Sequence, residues 1–310
     1  MGAIIKACNV NNAPKNTGKE CDTAMVATAM LIAIKSDETF DDTDLLDPVS
    51  WLDDLIHQRK AFPLFGQKAP IREINNNAET DIIVTLDDGL QVFMRYGVYN
   101  RQFGTTSGGL CYAQALQSFL NSGYSIIEVD AVGQMLARKN TDGTYSGIIT
   151  DFMYAPMPML ADLKSTPYKN FFKYSFSPTE LINNGIIFTG AQALLSMTGL
   201  IDAKITKNAA GSVTELTIGI LTECAGADLV AKFGADWEDP TNFIVTDKAD
   251  GSVKTVTGVT TVAGDLVLAG TWTTAHTYIV IGAAPSVWQT NSIEGYDGST
   301  PDSSVEILIP

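Results

Sequence analysis

The side chains that could do chemistry here are two histidines, four cysteines and 35 acidic residues, and their spacing supports very little of it. His57 stands beside Gln58, Arg59 and Lys60, with no Ser, Cys or Asp at the distance a known nucleophilic motif would use, so it reads as a surface histidine. His276 sits in a loop ahead of a strand and reads as solvent-exposed. Cys8, Cys21, Cys111 and Cys224 are too few and too scattered for a disulfide scaffold. The Cys8/Cys21 gap does not suit a zinc pair, and neither Cys-x-x-Cys nor His-x-x-x-His occurs. All four read as buried or incidental thiols.

Asp37, Glu38, Asp41, Asp42, Asp44 and Asp47 imitate a calcium loop only superficially, because its glycine and terminal glutamate are missing. They suit the approach to a helix N-terminus instead. Asp87-Asp88-Gly89 between two alternating stretches is a hairpin turn before it is a carboxylate pair. Gly104-x4-Gly109 has phosphate-loop spacing, but Leu110-Cys111 follows where Lys-Ser/Thr is needed. Its Thr, Ser and Gly residues are expected to cap the next helix. There is no Gly-x-Ser-x-Gly elbow, and acid pairs for glycoside hydrolysis are defined by spatial separation, not by sequence. An enzyme is therefore the weakest functional class, and no catalytic, cofactor-binding or metal-binding residue is assigned.

Composition narrows the classes further. A net charge of −15 repels phosphate and disfavours a nucleic-acid-binding surface. With 310 residues and 45% apolar content, two packed domains are expected. The apolar run Ala24–Ile34 is too short to span a bilayer. Glu20 and Asp22 ahead of it and Lys35 behind it are wrong for a signal peptide, so it reads as a buried strand or helix. The start, Met-Gly-Ala-Ile-Ile-Lys, lacks the Ser/Thr that myristoylation wants.

The elements that would position any site come in this order. Ile4–Cys8 and the 24–34 run flank a polar link (Asn9, Asn11, Asn12, Pro14, Asn16, Gly18) and form a first hairpin or an arm laid on another subunit. A helix over Pro48–Lys60 places Trp51, Leu52, Leu55 and Ile56 on one face. Strands follow near Ile71–Ile74, Thr80–Thr85 and Gln91–Tyr96, then a helix over Leu110–Asn121. A hairpin of Tyr124–Val129 and Gln134–Arg138 leads to a strand in Gly147–Tyr154. Met153-Tyr-Ala-Pro-Met-Pro-Met159 is extended and irregular, and its methionines read as core, with a partner groove as the alternative. Tyr168–Phe176 is a strand, and 181–184 and 191–198 are short helical pieces. From Ala203 to Pro285 the chain turns Thr-, Val-, Gly- and Ala-rich with short strands at regular spacing, the pattern of a small immunoglobulin-like β-sandwich. Val305–Pro310 reads as a strand added to its own sheet or a neighbour's.

Arg95-Tyr-Gly-Val-Tyr-Asn-Arg-Gln-Phe103, the helix ending in Gln117-Ser-Phe119, Val129-Asp-Ala-Val-Gly133 and Thr141-Asp-Gly-Thr-Tyr-Ser-Gly147 carry a resemblance. Residues 62–150 resemble virion structural proteins of tailed phages that infect Bacteroidota, of the tail-tube kind. The 203–285 segment, through Cys224-Ala-Gly-Ala-Asp-Leu229 and Phe243-Ile-Val-Thr-Asp-Lys248, is similar to immunoglobulin-like modules appended to such proteins.

The resemblance implies a mainly β fold: a tail-tube-like sandwich or barrel with one flanking helix over 1–202, an immunoglobulin-like sandwich over 203–285, and a 286–310 strand or tail for which a return to the first domain is one option. It implies a homo-oligomeric ring that stacks on further rings, with other virion proteins as neighbours. Genome DNA would pass without specific binding, and host-surface glycans are a further partner for the module. No membrane or cofactor is implied. The location implied is the virion tail, assembled in the host bacterial cytoplasm. Another virion component, such as a head decoration, capsid or connector-ring protein, is the alternative. A surface glycan-binding protein is the other, with Trp237, Trp272 and Trp288 as sugar-stacking candidates against their reading as core.

Overall fold

A computed structural model of the chain describes residues 4–9, 25–87, 89–120, 123–161 and 168–310, with the backbone alone given for 5–9. The polar link with Asn11, Pro14 and Gly18, the acids Glu20 and Asp22, Cys21, the Cys8 side chain, Asp88 and Asn121 lie outside the described residues. The chain is mainly β, in several sheets with few helices. It divides into two units, 1–198 and 199–310.

The first unit contains β1 (Ile5–Asn9), β2 (Thr28–Lys35), α1 (Pro48–His57), β3 (Ala61–Phe65), β4 (Glu73–Ala78), β5 (Ile82–Thr85), β6 (Gln91–Arg95), β7 (Tyr99–Thr105) and α2 (Gly109–Gln117). It continues with β8 (Tyr124–Asp130), β9 (Gln134–Lys139), β10 (Tyr145–Ser146), β11 (Ile148–Ile149), β12 (Phe152–Tyr154), β13 (Asn170–Phe176), α3 (Pro178–Asn184) and β14 (Gly185–Thr189). One sheet runs β1-β14-β9-β8-β2-β3, with β10 and β11 attached to β9 and β8; a second runs β12-β13-β7-β4.

Leu31 and Ala33 of β2, Ile126 of β8 and Leu136 of β9 from the first sheet share one core with Phe103 of β7 and Phe172, Tyr174 and Phe176 of β13 from the second. The 24–34 run thus becomes β2, whose residues Met30 to Ile34 are fully buried because both faces of that sheet are covered. Alternation sends Leu31 and Ala33 to the inter-sheet core and Met30, Ile32 and Ile34 to the far side.

Helix α1 starts where expected. The Asp47 side chain accepts from the Ser50 amide, and Pro48 fits the first turn. It buries Trp51, Leu52, Leu55 and Ile56, and Phe40 links Trp51 to Tyr145 and Phe188. Helix α2 places Leu116 in the inter-sheet core, with Phe119 just after it. Among the described residues, three α-helices therefore accompany these sheets, where the resemblance implies one. The Thr and Ser residues before α2 do not cap it: Gly108, at φ 95°, stands at the N-cap with no side-chain bond.

The second unit contains β15 (Ile201–Lys207), β16 (Glu215–Thr222), α4 (Leu229–Phe233), β17 (Phe243–Asp247), β18 (Val253–Lys254), β19 (Gly258–Val262), β20 (Asp265–Ala269), β21 (Thr277–Gly282), α5 (Pro285–Thr290), β22 (Tyr296–Asp297) and β23 (Val305–Leu308). The sheets β19-β20-β16-β15-β22 and β18-β17-β21-β23 enclose a core of Leu216, Ile218, Val245, Leu266, Val280 and Ile307 with Trp237 and Trp288 at its centre. The 286–310 segment supplies β22 and β23, and β23 pairs with β21, so the C-terminal strand completes this unit's own sheet. Trp288 crosses the backbone so closely that a Cβ at Gly282 or Gly298 would lie 2.3 or 2.2 Å from its ring.

Candidate functional site

Strands β4 and β7 run on beyond their sheet into β5 and β6. The ladder breaks at residues 79–81 and 96–98, where the Glu79 amide donates to the Val98 carbonyl and the Gly97 amide to the Asp81 carboxylate. Gly97 permits this approach, since a Cβ there would sit 1.9 Å from the Glu79 carbonyl oxygen. Pairing then resumes with Ile83 opposite Phe93 and Val84 opposite Val92, closed by a turn in which the Gly89 amide donates to Leu86. Gly89, at φ 84°, takes the left-handed conformation that the turn requires. The sequence thus places a turn between β5 and β6 correctly through Gly89, with Asp88 outside the described residues.

Among the described residues, β5 and β6 pair with no other strand. No charged residue occurs from Ile82 to Leu86 or from Gly89 to Met94. Ile82, Ile83, Val84, Leu86, Leu90, Phe93, Met94 and Tyr96 are 40–61% exposed, on both faces of the ribbon. At about 200 Å² per large side chain this is roughly 800 Å² of apolar surface. The largest patch on an ordinary monomer is about 300–600 Å², and one side of a standard protein interface is about 800 Å². Burying it would contribute ~20 kcal/mol gross, before the costs of ordering and association. A two-stranded ribbon is marginal alone in water, so a covering surface suits it chemically and structurally.

A second apolar run lies along the β12 edge of the β12-β13-β7-β4 sheet. Phe152 and Tyr154 of β12, with Met157, Met159 and Leu160 after it, are 39–77% exposed. Met159 bridges to Lys169, so this segment follows the outer side of β13 as a rim. Met153 is buried, as expected of a core methionine, while Met157 and Met159 are not core residues. Pro156 and Pro158 hold the chain extended here and leave those two side chains without a cavity to enter.

The residues with chemical potential are dispersed, and several differ from their sequence-based assignment. His57 is buried, not at the surface: the last turn of α1 turns it inward, with Nδ1 2.8 Å from the Asp53 carbonyl oxygen. His276 is half-buried, with Nδ1 2.8 Å from Asp247 Oδ2. Burial alone would raise the Asp247 pKa, but hydrogen bonds from His276, the Ala249 amide and Lys254 outweigh it and hold the carboxyl below its usual value. Cys111 and Cys224 are exposed and each disulfide-bonded, which corrects their assignment as buried or incidental thiols. Trp237, Trp272 and Trp288 are core residues. Of the acidic run, Asp41 and Asp44 hydrogen-bond within their own turn, Asp47 caps α1, and Glu38 pairs with Lys60 at 2.9 Å. Among the described residues no three His, Cys, Asp or Glu side chains gather as a metal site, and no helix is long and apolar enough to cross a membrane.

One polar cluster was not legible in the sequence. Arg101 Nη2 lies 2.9 Å from Glu128 Oε2, the Thr28 hydroxyl donates to that same oxygen at 2.6 Å, and the Tyr174 hydroxyl donates to Glu128 Oε1. Burial disfavours the Arg101 charge, yet Glu128 together with Tyr174 and Tyr99 outweighs it and holds the guanidinium above its ordinary pKa. Burial first, and then Glu128, push the Tyr174 phenol well up. Arg101 also lines an apolar cavity of about 310 Å³ with Met25, Tyr99, Leu136, Phe176 and Leu181. The guanidinium is tied to Glu128, and the cluster joins β2, β7, β8 and β13 across the two sheets. The chain matches no protein-family model and no curated protein sequence.

Proposed function

We propose that this chain is a self-assembling structural subunit of a phage virion, most concretely a tail-tube subunit whose copies close into rings that stack around a DNA conduit. The observation that carries the reading is the β5–β6 ribbon, whose uncovered apolar surface matches one side of a standard protein interface. A closed ring would cover that surface and shield the open edges of the β12-β13-β7-β4 sheet. The net charge of −15 suits a wall past which DNA moves without adhering.

On this reading the first unit is the tail-tube-like sandwich and the second an immunoglobulin-like module carried by it. The role is structural, not catalytic. The disulfides at Cys111 and Cys224 suit a particle that works outside a reducing cytoplasm and becomes oxidised after release. Negative-stain electron microscopy of the purified full chain tests the proposal. Rings with an axial channel, stacking into tubes at higher concentration, are expected; a field of separate, channel-free particles at every concentration would refute it.

A further inference from the structure

We infer that the β5–β6 ribbon of one copy docks on the 152–160 rim of the next, so that the contact is heterologous and propagates head to tail. The inference rests on the assembly reading above and names the two surfaces that meet. Both are apolar, and both stay exposed, with no strand or helix laid over either among the described residues. They lie at different borders of one sheet: the ribbon runs on from the strand ends of β4 and β7, and the rim is formed by β12 and the residues after it. Three strand spacings of about 4.8 Å separate β12 from β4. Each copy therefore offers one ribbon and one rim, and a copy that gives its ribbon to one neighbour and receives another's on its rim leads to a closed ring or an open fibre.

The chemistry of the rim explains how the contact forms. Pro156 and Pro158 have no backbone donors, so strand addition cannot run along that part of the edge and side chains must carry the contact. Met157 and Met159 are flexible enough to mould around Ile83, Phe93 and the aliphatic face of the ribbon. Together the two surfaces expose roughly 1,300 Å², taking about 200 Å² per large side chain. A specific interface needs about 1,000 Å² or more.

The test uses two full-length variants, one with Leu86→Asp and Phe93→Asp on the ribbon, the other with Met157→Asp and Leu160→Asp on the rim. All four positions are exposed, and circular dichroism checks that each variant is folded. Should the Asp variants misfold, Ser replaces Asp at the same positions. Mass photometry is expected to show wild-type oligomers, each variant alone as a monomer with self-association weakened at least about 100-fold, and an equimolar mixture as a one-to-one heterodimer. The heterodimer forms because the ribbon variant keeps an intact rim and the rim variant an intact ribbon. A mixture that stays monomeric, or a rim variant that assembles like wild type, overturns this contact while leaving the assembly reading in place. A monomeric wild type overturns both.

Discussion

Replacing Glu128 by alanine should be among the most damaging single changes in the first unit. Glu128 is almost wholly buried and accepts from Arg101 at 2.9 Å, from the Thr28 hydroxyl at 2.6 Å and from the Tyr174 hydroxyl. Its loss strands a guanidinium between two sheets and leaves two hydroxyls without their acceptor. Breaking a buried pair from one side costs about 3–5 kcal/mol, against a total stability of about 5–15 kcal/mol for a typical domain. Removing both charges with Glu128→Leu and Arg101→Leu should recover most of the loss, because no buried charge is then left unpaired. Urea unfolding of the full chain measures the change, and hydrogen exchange on peptides from β7 and β8 reports this unit separately from the other. If Glu128→Ala costs less than about 1 kcal/mol, water reaches the cluster and the reasoning fails.

Three further outcomes follow from the same structure. Gly298→Ala should destabilise the second unit by about 1–3 kcal/mol or more, since its Cβ would lie 2.2 Å from the Trp288 ring; thermal unfolding followed by tryptophan fluorescence reads this. Asp247 has a depressed folded pKa, so its stabilising contribution is complete above the unfolded carboxylate value of about 3.9 and is lost as pH falls through the folded value. A Tm-against-pH series should therefore drop at acid pH in the wild type and drop less in Asp247→Asn. Finally, alkylation without reductant should leave Cys111 and Cys224 unmodified, and prior reduction should expose both thiols and lower stability by about 2–5 kcal/mol per bridge.

Much of the fold could be read from local signals. Pro48 with the apolar face after it, the β8–β9 hairpin, the Asp-Asp-Gly turn and the aromatic alternation of β13 all specify their elements through nearest-neighbour chemistry. What local patterning does not encode is what covers a surface. Ile82–Leu86 and Leu90–Met94 have the composition of a core hairpin, and only the absence, among the described residues, of any strand or helix over them reveals an uncovered ribbon. Met157 and Met159 fall short in the same way. His57 and the Arg101–Glu128 pair fail for a different reason, because their burial depends on partners brought together by the tertiary fold, 27 residues apart in the second case. An exposed cysteine and a disulfide-bonded one are likewise the same letter until the fold places the second sulfur.

The mass of the purified full-length chain, measured across concentration, bears most directly on the claim that the ribbon is an assembly surface. Discrete multiples of 33.2 kDa that persist on dilution into the low micromolar range and disappear in Phe93→Asp are expected. A single species at 33.2 kDa at every concentration would contradict it.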